Sequence, residues 1–163
     1  MTNMDSTYAK DGEPRVSYTA GAFDASAILK LENQLCFPLY AASREVVKQY
    51  RPFLDEIGLT YTQYITMMVL WEEGAISVKD LGKRLFLDSG TLTPVVKALE
   101  AKGLVKRERS AQDERVVIVK LLEAGETLKE QAACVPAKVG SCINLEEEEA
   151  IELYRLLYKV LSQ

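Results

Sequence analysis

Residues Ser77–Lys120 read SVKDLGKRLFLDSGTLTPVVKALEAKGLVKRERSAQDERVVIVK, and the changes of apolar period inside this stretch decide the fold. Ser77 precedes Val78, Leu81 and Leu85, which share one face of a short helix. The pattern breaks at Leu87-Asp88-Ser89 and resumes with Leu92, Val95, Val96 and Leu99. That spacing predicts a second helix from about Gly90 to Lys102, stopped by Gly103 as a left-handed cap. Leu104–Arg109 and Arg115–Leu121 then bracket the polar Ser110-Ala111-Gln112-Asp113-Glu114, and both flanks carry β-branched residues. This reads as a β-hairpin.

Upstream, Thr60-Tyr61-Thr62-Gln63 has the form of a capping box and opens a helix through Tyr64, Met67, Met68, Leu70 and Trp71, ended by Gly74. Further back, Leu35, Leu39, Ala42, Val46 and Tyr50 make one helical stripe. Pro38 cannot sit deep in a helix, so the regular part starts close to Cys36, and Pro52 kinks or ends it. Residues 1 to about 27 show no sustained period and read as a flexible arm. Downstream, helices are expected over about Glu123–Val135 and Leu145–Leu161. The second is capped by Asn144, with Glu146, Glu147 and Glu148 in its positive first turn. Leu145, Ile151, Leu153, Leu156, Leu157, Val160 and Leu161 give it an unusually wide apolar surface. The class is mainly α with a small β-hairpin wing.

At 163 residues, 48% apolar and 27% charged, the chain can bury one proper core. No apolar run reaches the roughly 20 residues that cross a bilayer, and the N-terminus lacks the pattern of a signal peptide. A cytoplasmic protein without membrane contact is expected. Histidine is absent, and Cys36, Cys134 and Cys142 are widely spaced, so neither a metal site nor a cofactor is expected. Net charge is −4, yet it is unevenly spread. From Lys97 to Lys120 seven basic residues face four acidic ones, whereas from Glu123 onward eight acidic residues face four basic ones. Phosphate affinity follows local basic surface, so global acidity does not exclude nucleic acid.

Helix, tight turn, helix and basic hairpin, in that order, make a winged helix-turn-helix. The second helix can enter a major groove of double-stranded DNA while the hairpin reaches the adjoining minor groove. Ser89, Thr91 and Thr93 at the front of that helix offer short hydroxyls to phosphates or base edges, and Lys97 follows on the same general side. Arg115, beside the hairpin tip, is the minor-groove probe. Hydroxyls alone would suit any solvated face, so the order of elements carries the reading.

Ser77-Val78-Lys79-Asp80-Leu81, Leu87-Asp88-Ser89-Gly90-Thr91-Leu92-Thr93-Pro94 and Asp113-Glu114-Arg115 resemble the MarR family of dimeric regulators. Leu31-Glu32-Asn33-Gln34-Leu35-Cys36-Phe37, Ala41-Ala42-Ser43-Arg44-Glu45 and Gly58-Leu59-Thr60-Tyr61-Thr62-Gln63-Tyr64 resemble its organic-hydroperoxide sensors, the OhrR branch. The resemblance runs from about Leu31 to the C-terminus. It implies a homodimer with interlocked first and last helices, a repressor on an inverted-repeat operator, and Cys36 as the redox-sensing thiol. It further implies that Tyr50 and Tyr61 hydrogen-bond that thiol from the partner subunit, that Tyr40 lies nearby, and that Asp113 supports the wing. Pro38 departs from the aliphatic residue usual beside the thiol. The implied organisation is an arm over 1–27, a dimerisation and sensor helix over 28–58, a DNA-binding region over 59–122 and dimerisation helices over 123–163.

A lone cysteine in an apolar stretch often serves as a small core residue. Against that, Pro38 puts Cys36 in a first helical turn, where free amides and the helix dipole favour thiolate. Peroxide would convert it to sulfenic acid, which a second thiol can trap as a disulfide. Cys142 lies close to where two-cysteine members carry their resolving thiol; Cys134 and a small external thiol are the alternatives, and Cys134 is expected to pack within its helix. A rival reading keeps Cys36 inert and has a phenolic or lipophilic ligand bind near Met67 and Met68 without covalent chemistry. A peroxidase would need a cation beside the thiol, and Arg44 is two turns away, so an enzyme is not expected. A purely structural dimer leaves the basic wing unexplained.

Overall fold

A computed structural model describes residues 29–162; the arm expected over residues 1 to 27 lies outside the described residues. The chain divides into two compact units, Met1–Lys48 and Gln49–Gln163. In the first, a 3-10 turn at Leu31–Asn33 precedes helix α1, Cys36–Glu56, which continues into the second. Pro38 is the third residue of α1, where an amide would have had no intrahelical partner, so the helix starts where the proline predicts. Leu31, Leu35 and Leu39 are exposed, and no described residue of this unit is buried. Pro52 does not end the helix, one of the two outcomes expected of it. The turn beyond it buries Leu54 and packs Phe53 and Ile57 on the core, which offsets the hydrogen bond that proline removes.

The second unit adds α2 (Tyr61–Glu73), β1 (Ala75–Ser77), α3 (Val78–Leu85), α4 (Ser89–Ala101), β2 (Val105–Arg109), β3 (Val117–Leu121), α5 (Glu123–Ala132), α6 (Val135–Gly140) and α7 (Glu147–Leu161). Local chemistry explains most of these limits. Thr60 and Gln63 form the expected reciprocal capping box at the start of α2. Ser77 caps α3 by accepting from the Asp80 amide at 3.0 Å. Lys102 caps α4 and Gly103 follows at φ 71°, a backbone region open to glycine at little cost. The strands run in the order β1-β3-β2, all antiparallel, with Val119 opposite both Ile76 and Arg107. Three-residue β1 was missed, being too short to show a period.

The core is built from Met67 and Leu70 of α2, Leu81 of α3, Leu92, Val96 and Leu99 of α4, and Val105 and Val119 of the sheet. Met68, expected in the same apolar face, is 41% exposed. The helix predicted over Glu123–Val135 is two pieces. Pro136 at the second position of α6 has no amide to offer the carbonyl four residues back, and α5 stops at Ala132. Cys134 falls in that break; rather than packing it is exposed, its thiol directed to the Gln131 carbonyl at 3.5 Å. The last helix starts at Glu147 and is capped by Glu146, not Asn144. The Leu145 amide is taken by the Ile143 carbonyl in a tight turn, so Leu145 stays outside. Glu146 then donates its amide to the Glu149 carboxylate at 2.9 Å. No residue of α7 is buried, so its apolar face stands in the open. No helix among the described residues is long and apolar enough to cross a membrane.

Gly125 marks the closest approach of helix to sheet. A Cβ there would lie 2.3 Å from the Leu104 carbonyl oxygen and 2.7 Å from Leu121 Cδ1, while Trp71 Nε1 donates to the Gly125 carbonyl at 2.8 Å. Gly125→Ala should cost about 2–3 kcal/mol, because backbone must move. Gly140→Ala, in helix α6 with open space around it, should gain up to about 1 kcal/mol. Urea denaturation with an unchanged m-value reads both, and equal midpoints for the two variants would refute the close approach.

Candidate nucleic-acid interface and thiol site

The turn between α3 and α4 aims the second helix. Phe86 sits in the left-handed region at φ 53° and ψ 39°, and the Leu87 amide donates to the Gly82 carbonyl at 3.0 Å. Asp88 then caps α4, its carboxylate accepting from the Thr91 amide at 3.0 Å and the Thr91 hydroxyl at 2.9 Å. The Thr91 amide, and after it the Thr91 hydroxyl, hold the Asp88 carboxyl below the ordinary carboxylate range. Burial of Leu92, Val96 and Leu99 turns Ser89, Thr93 and Lys97 outward, four apart on one row. The hydroxyls differ in availability. Thr91 donates to Asp88 and Thr93 donates to the Ser89 carbonyl at 2.6 Å, so each keeps only its acceptor face for DNA unless it rotates.

The wing is tied down locally and at its base. Ser110 and Val116 close the hairpin at 2.8 Å, and the Asp113 carboxylate accepts from the Arg115 amide at 2.9 Å. Asp113 thus orders the residue expected to probe the minor groove, whose side chain is exposed. At the base, Glu100 of α4 accepts from the Arg107 amide and Nε, each at 2.8 Å, and forms an ion pair with Nη2 at 2.6 Å.

Between α4, the start of α3 and the wing lies an open groove of about 1020 Å³. Ser89, Thr93 and Arg115 line it together; Thr91 and Lys97 do not. Lys79 also lines it, a residue the sequence reading did not select. The available signal was its place in the first turn after the Ser77 cap, where a helix-turn-helix crosses the DNA backbone. Of the seven cations between Lys97 and Lys120, most are already engaged. Lys102 donates to the Gly58 carbonyl at 2.5 Å and Gln63 Oε1 at 2.8 Å. Lys106 and Lys120 pair with Glu108, Arg107 with Glu100, and Arg109 donates to the Glu114 carbonyl. Among the described residues, Lys97 and the Arg115 side chain have no such partner.

Cys36 is exposed as the first residue of α1. In the same unit Tyr40 is exposed, its hydroxyl oxygen accepting from Arg44 Nη1 at 2.7 Å with the guanidinium 5.5 Å from the ring centre. The second unit brings Tyr50 and Tyr61 together edge to face at 5.0 Å, with Tyr64 at 6.0 Å from Tyr50. Burial, then the neighbouring Tyr50, pushes the Tyr61 phenol up, so it remains a hydrogen-bond donor at neutral pH. Cys142 is exposed in the turn after α6, its thiol directed to the Lys138 carbonyl at 3.4 Å. Met67, invoked for a ligand pocket, is fully buried core.

Residues 48–132 match the family described as transcriptional regulator SarA/Rot. The chain is also 47% identical over 134 residues to the organic hydroperoxide resistance transcriptional regulator of Bacillus subtilis, covering 82% of this chain and 91% of that one. The chain belongs to the SarA/Rot/MarR-type winged-helix transcription regulators. AbfR of Staphylococcus epidermidis, reduced and bound to DNA, superimposes on the regulator with a TM-score of 0.70 at 36% identity, covering 85% of this chain and 94% of that one. Disulfide-formed AbfR superimposes less well, at 0.57 and 35% identity, over 85% and 97%. The expected fold class, mainly α with a winged helix-turn-helix, is the one found, and it makes the chain a DNA-binding regulator.

The Asp88 cap gives a pH test. Its folded pKa is depressed below the unfolded value of about 3.9, so its contribution is complete above that value and is lost as pH falls through the folded one. The Thr91 amide proton, followed by NMR during acidification, should titrate with a midpoint below that of an ordinary aspartate. Asp88→Asn should abolish the transition. A midpoint at or above the ordinary value would show that the cap does not hold the charged form.

Proposed function

We propose that this regulator is a homodimeric repressor of an inverted-repeat operator that senses organic hydroperoxides at Cys36 and releases DNA when the thiol is oxidised. The observation that carries this reading is the exposed position of Cys36 at the first residue of α1. There the unpaired amides and the positive helix end favour thiolate, and a relative of 47% identity is named for organic hydroperoxide resistance. The thiolate attacks one peroxide oxygen; an S–O bond forms, the O–O bond breaks, and the departing alkoxide takes a proton to become an alcohol. A second thiol then attacks the sulfenic sulfur, forming a disulfide and releasing water. Cys142, Cys134 and a small external thiol all remain eligible, since both protein thiols are exposed.

The exposed apolar residues of α7 and of the start of α1 support a dimer, because such a surface is covered in a soluble assembly. In this reading Tyr50 and Tyr61 serve the thiol from the partner subunit, and Tyr40 is the phenol in the same unit as Cys36. On DNA, Ser89, Thr93 and Lys97 face the major groove, Thr91 acts chiefly through the Asp88 cap, and Arg115, ordered by Asp113, enters the minor groove.

A duplex selected by the reduced protein from a random library supplies the operator. Cumene hydroperoxide should release wild type from it, while Cys36→Ser stays bound at every oxidant concentration. Release of Cys36→Ser, or wild-type affinity that oxidant leaves unchanged, would defeat the thiol switch.

A further inference from the structure

We propose that Lys79 is a DNA-backbone contact, gripping a phosphate from the α3 side of the groove that Arg115 borders from the wing; the inference rests on the DNA-binding reading above. Four observations converge. Lys79 is exposed, lies in the first turn of α3, and lines the same groove as Ser89, Thr93 and Arg115. Among the described residues no carboxylate lies within ion-pair distance of it. Asp80 beside it is bound by Lys83 at 2.8 Å and accepts from the Ser77 hydroxyl at 2.7 Å. The groove's third cation, Arg107, is held by Glu100. What remains is an open groove lined by apolar Ile76, Val117 and Ile118, with Lys79 and Arg115 bordering it outside any ion pair among the described residues.

That combination fits a polyanion whose sugars are apolar and whose charges repeat along a line. A DNA strand has both properties. The strand bordering the major groove that α4 enters has to pass the end of α3, where helix-turn-helix proteins cross the backbone. An ammonium on a flexible stem suits a phosphate, needing no fixed angle, whereas Arg115 can also read groove width. Lys79 therefore contributes affinity without sequence preference. Lys106 and Lys120, counted in the sequence as basic surface, are already paired with Glu108 and contribute little.

The test needs no operator. Fluorescence anisotropy measures binding of the intact protein to a labelled duplex of arbitrary sequence across a series of salt concentrations. Each lost phosphate contact should flatten the plot of log Kobs against log salt by about 0.9, so Lys79→Gln should show this for every protomer bound. Lys79→Arg should restore the slope, and Lys106→Gln and Lys120→Gln should keep the wild-type slope. If Arg115→Gln flattens the slope and Lys79→Gln does not, the assignment of Lys79 is wrong while DNA binding stands. If wild type shows no salt-dependent binding to any duplex, the DNA-binding reading itself fails. Lys79 is exposed, so an unchanged urea midpoint is expected and excludes misfolding as the cause.

Discussion

The two hydrogen bonds that Glu100 takes from Arg107, with the ion pair between the same side chains, tie the reading helix to the wing. β2 is an edge strand in the order β1-β3-β2, so one row of its amides faces away from the sheet. Glu100 receives one of them and grips the guanidinium of the same residue, joining α4 to the strand through backbone and side chain at once. Arg107 in turn holds the Glu100 carboxyl below the ordinary carboxylate range, first through its side chain and then through its amide. The contact thus favours the ionised carboxylate. Two prongs entering adjacent grooves of one duplex must keep a constant separation, and the covalent link through Gly103 alone would leave them free to swing.

The clamp also shows why counting cations overstates a binding surface. A basic run from Lys97 to Lys120 looks like a phosphate-binding stripe in one dimension. Folded, it is partly the mortar of the domain: Lys102 secures a turn, Arg107 secures a strand, and Lys106 and Lys120 share Glu108 across the ladder. An exposed ion pair contributes little stability, but it lowers the positive potential that phosphate would meet. The charges left over, on Lys97, Arg115 and Lys79, belong to three different elements. A linear count finds the first two by proximity and misses the third, which lies outside the basic run.

Features that depend on neighbours in sequence were legible. The Thr60–Gln63 box, the Ser77 cap, the positive φ at Gly103 and the hairpin about Ser110–Glu114 follow from local rules, and each is present. Local rules were insufficient where tertiary contacts or one missing amide decided the outcome. Burial of Leu54 carries α1 past Pro52, and Pro136 divides a helix whose apolar period runs on. Acidic residues beside Asn144 offered rival caps, and a turn at Ile143–Leu145 selected Glu146. For the candidate site, the helix row of Ser89, Thr93 and Lys97 was readable from period alone. The prior engagement of Thr91 by Asp88 was not, because it depends on which of several donors a carboxylate captures.

Within the second unit a chain of contacts runs from the Tyr50–Tyr61 pair to the end of the reading helix. Tyr50 and Tyr61 touch edge to face, and Tyr61 is the first residue of α2. The capping box that starts this helix uses Gln63, and Gln63 Oε1 also accepts from Lys102, the residue that caps α4. The same ammonium holds the Gly58 carbonyl, so both ends of the turn before α2 are bound to the end of the reading helix. Because Gln63 is buried and its amide oxygen serves two donors, that turn cannot shift without leaving Lys102 or the Thr60 amide unsatisfied. Displacing one partner thus favours moving the other, and the end of α4 moves with Lys102. The opposite end of that helix is pinned by Asp88 and the strand beyond it by Glu100. The reading helix is thus tied to the turn before α2 through Lys102 and capped at its start by Asp88, while Glu100 joins it to the wing.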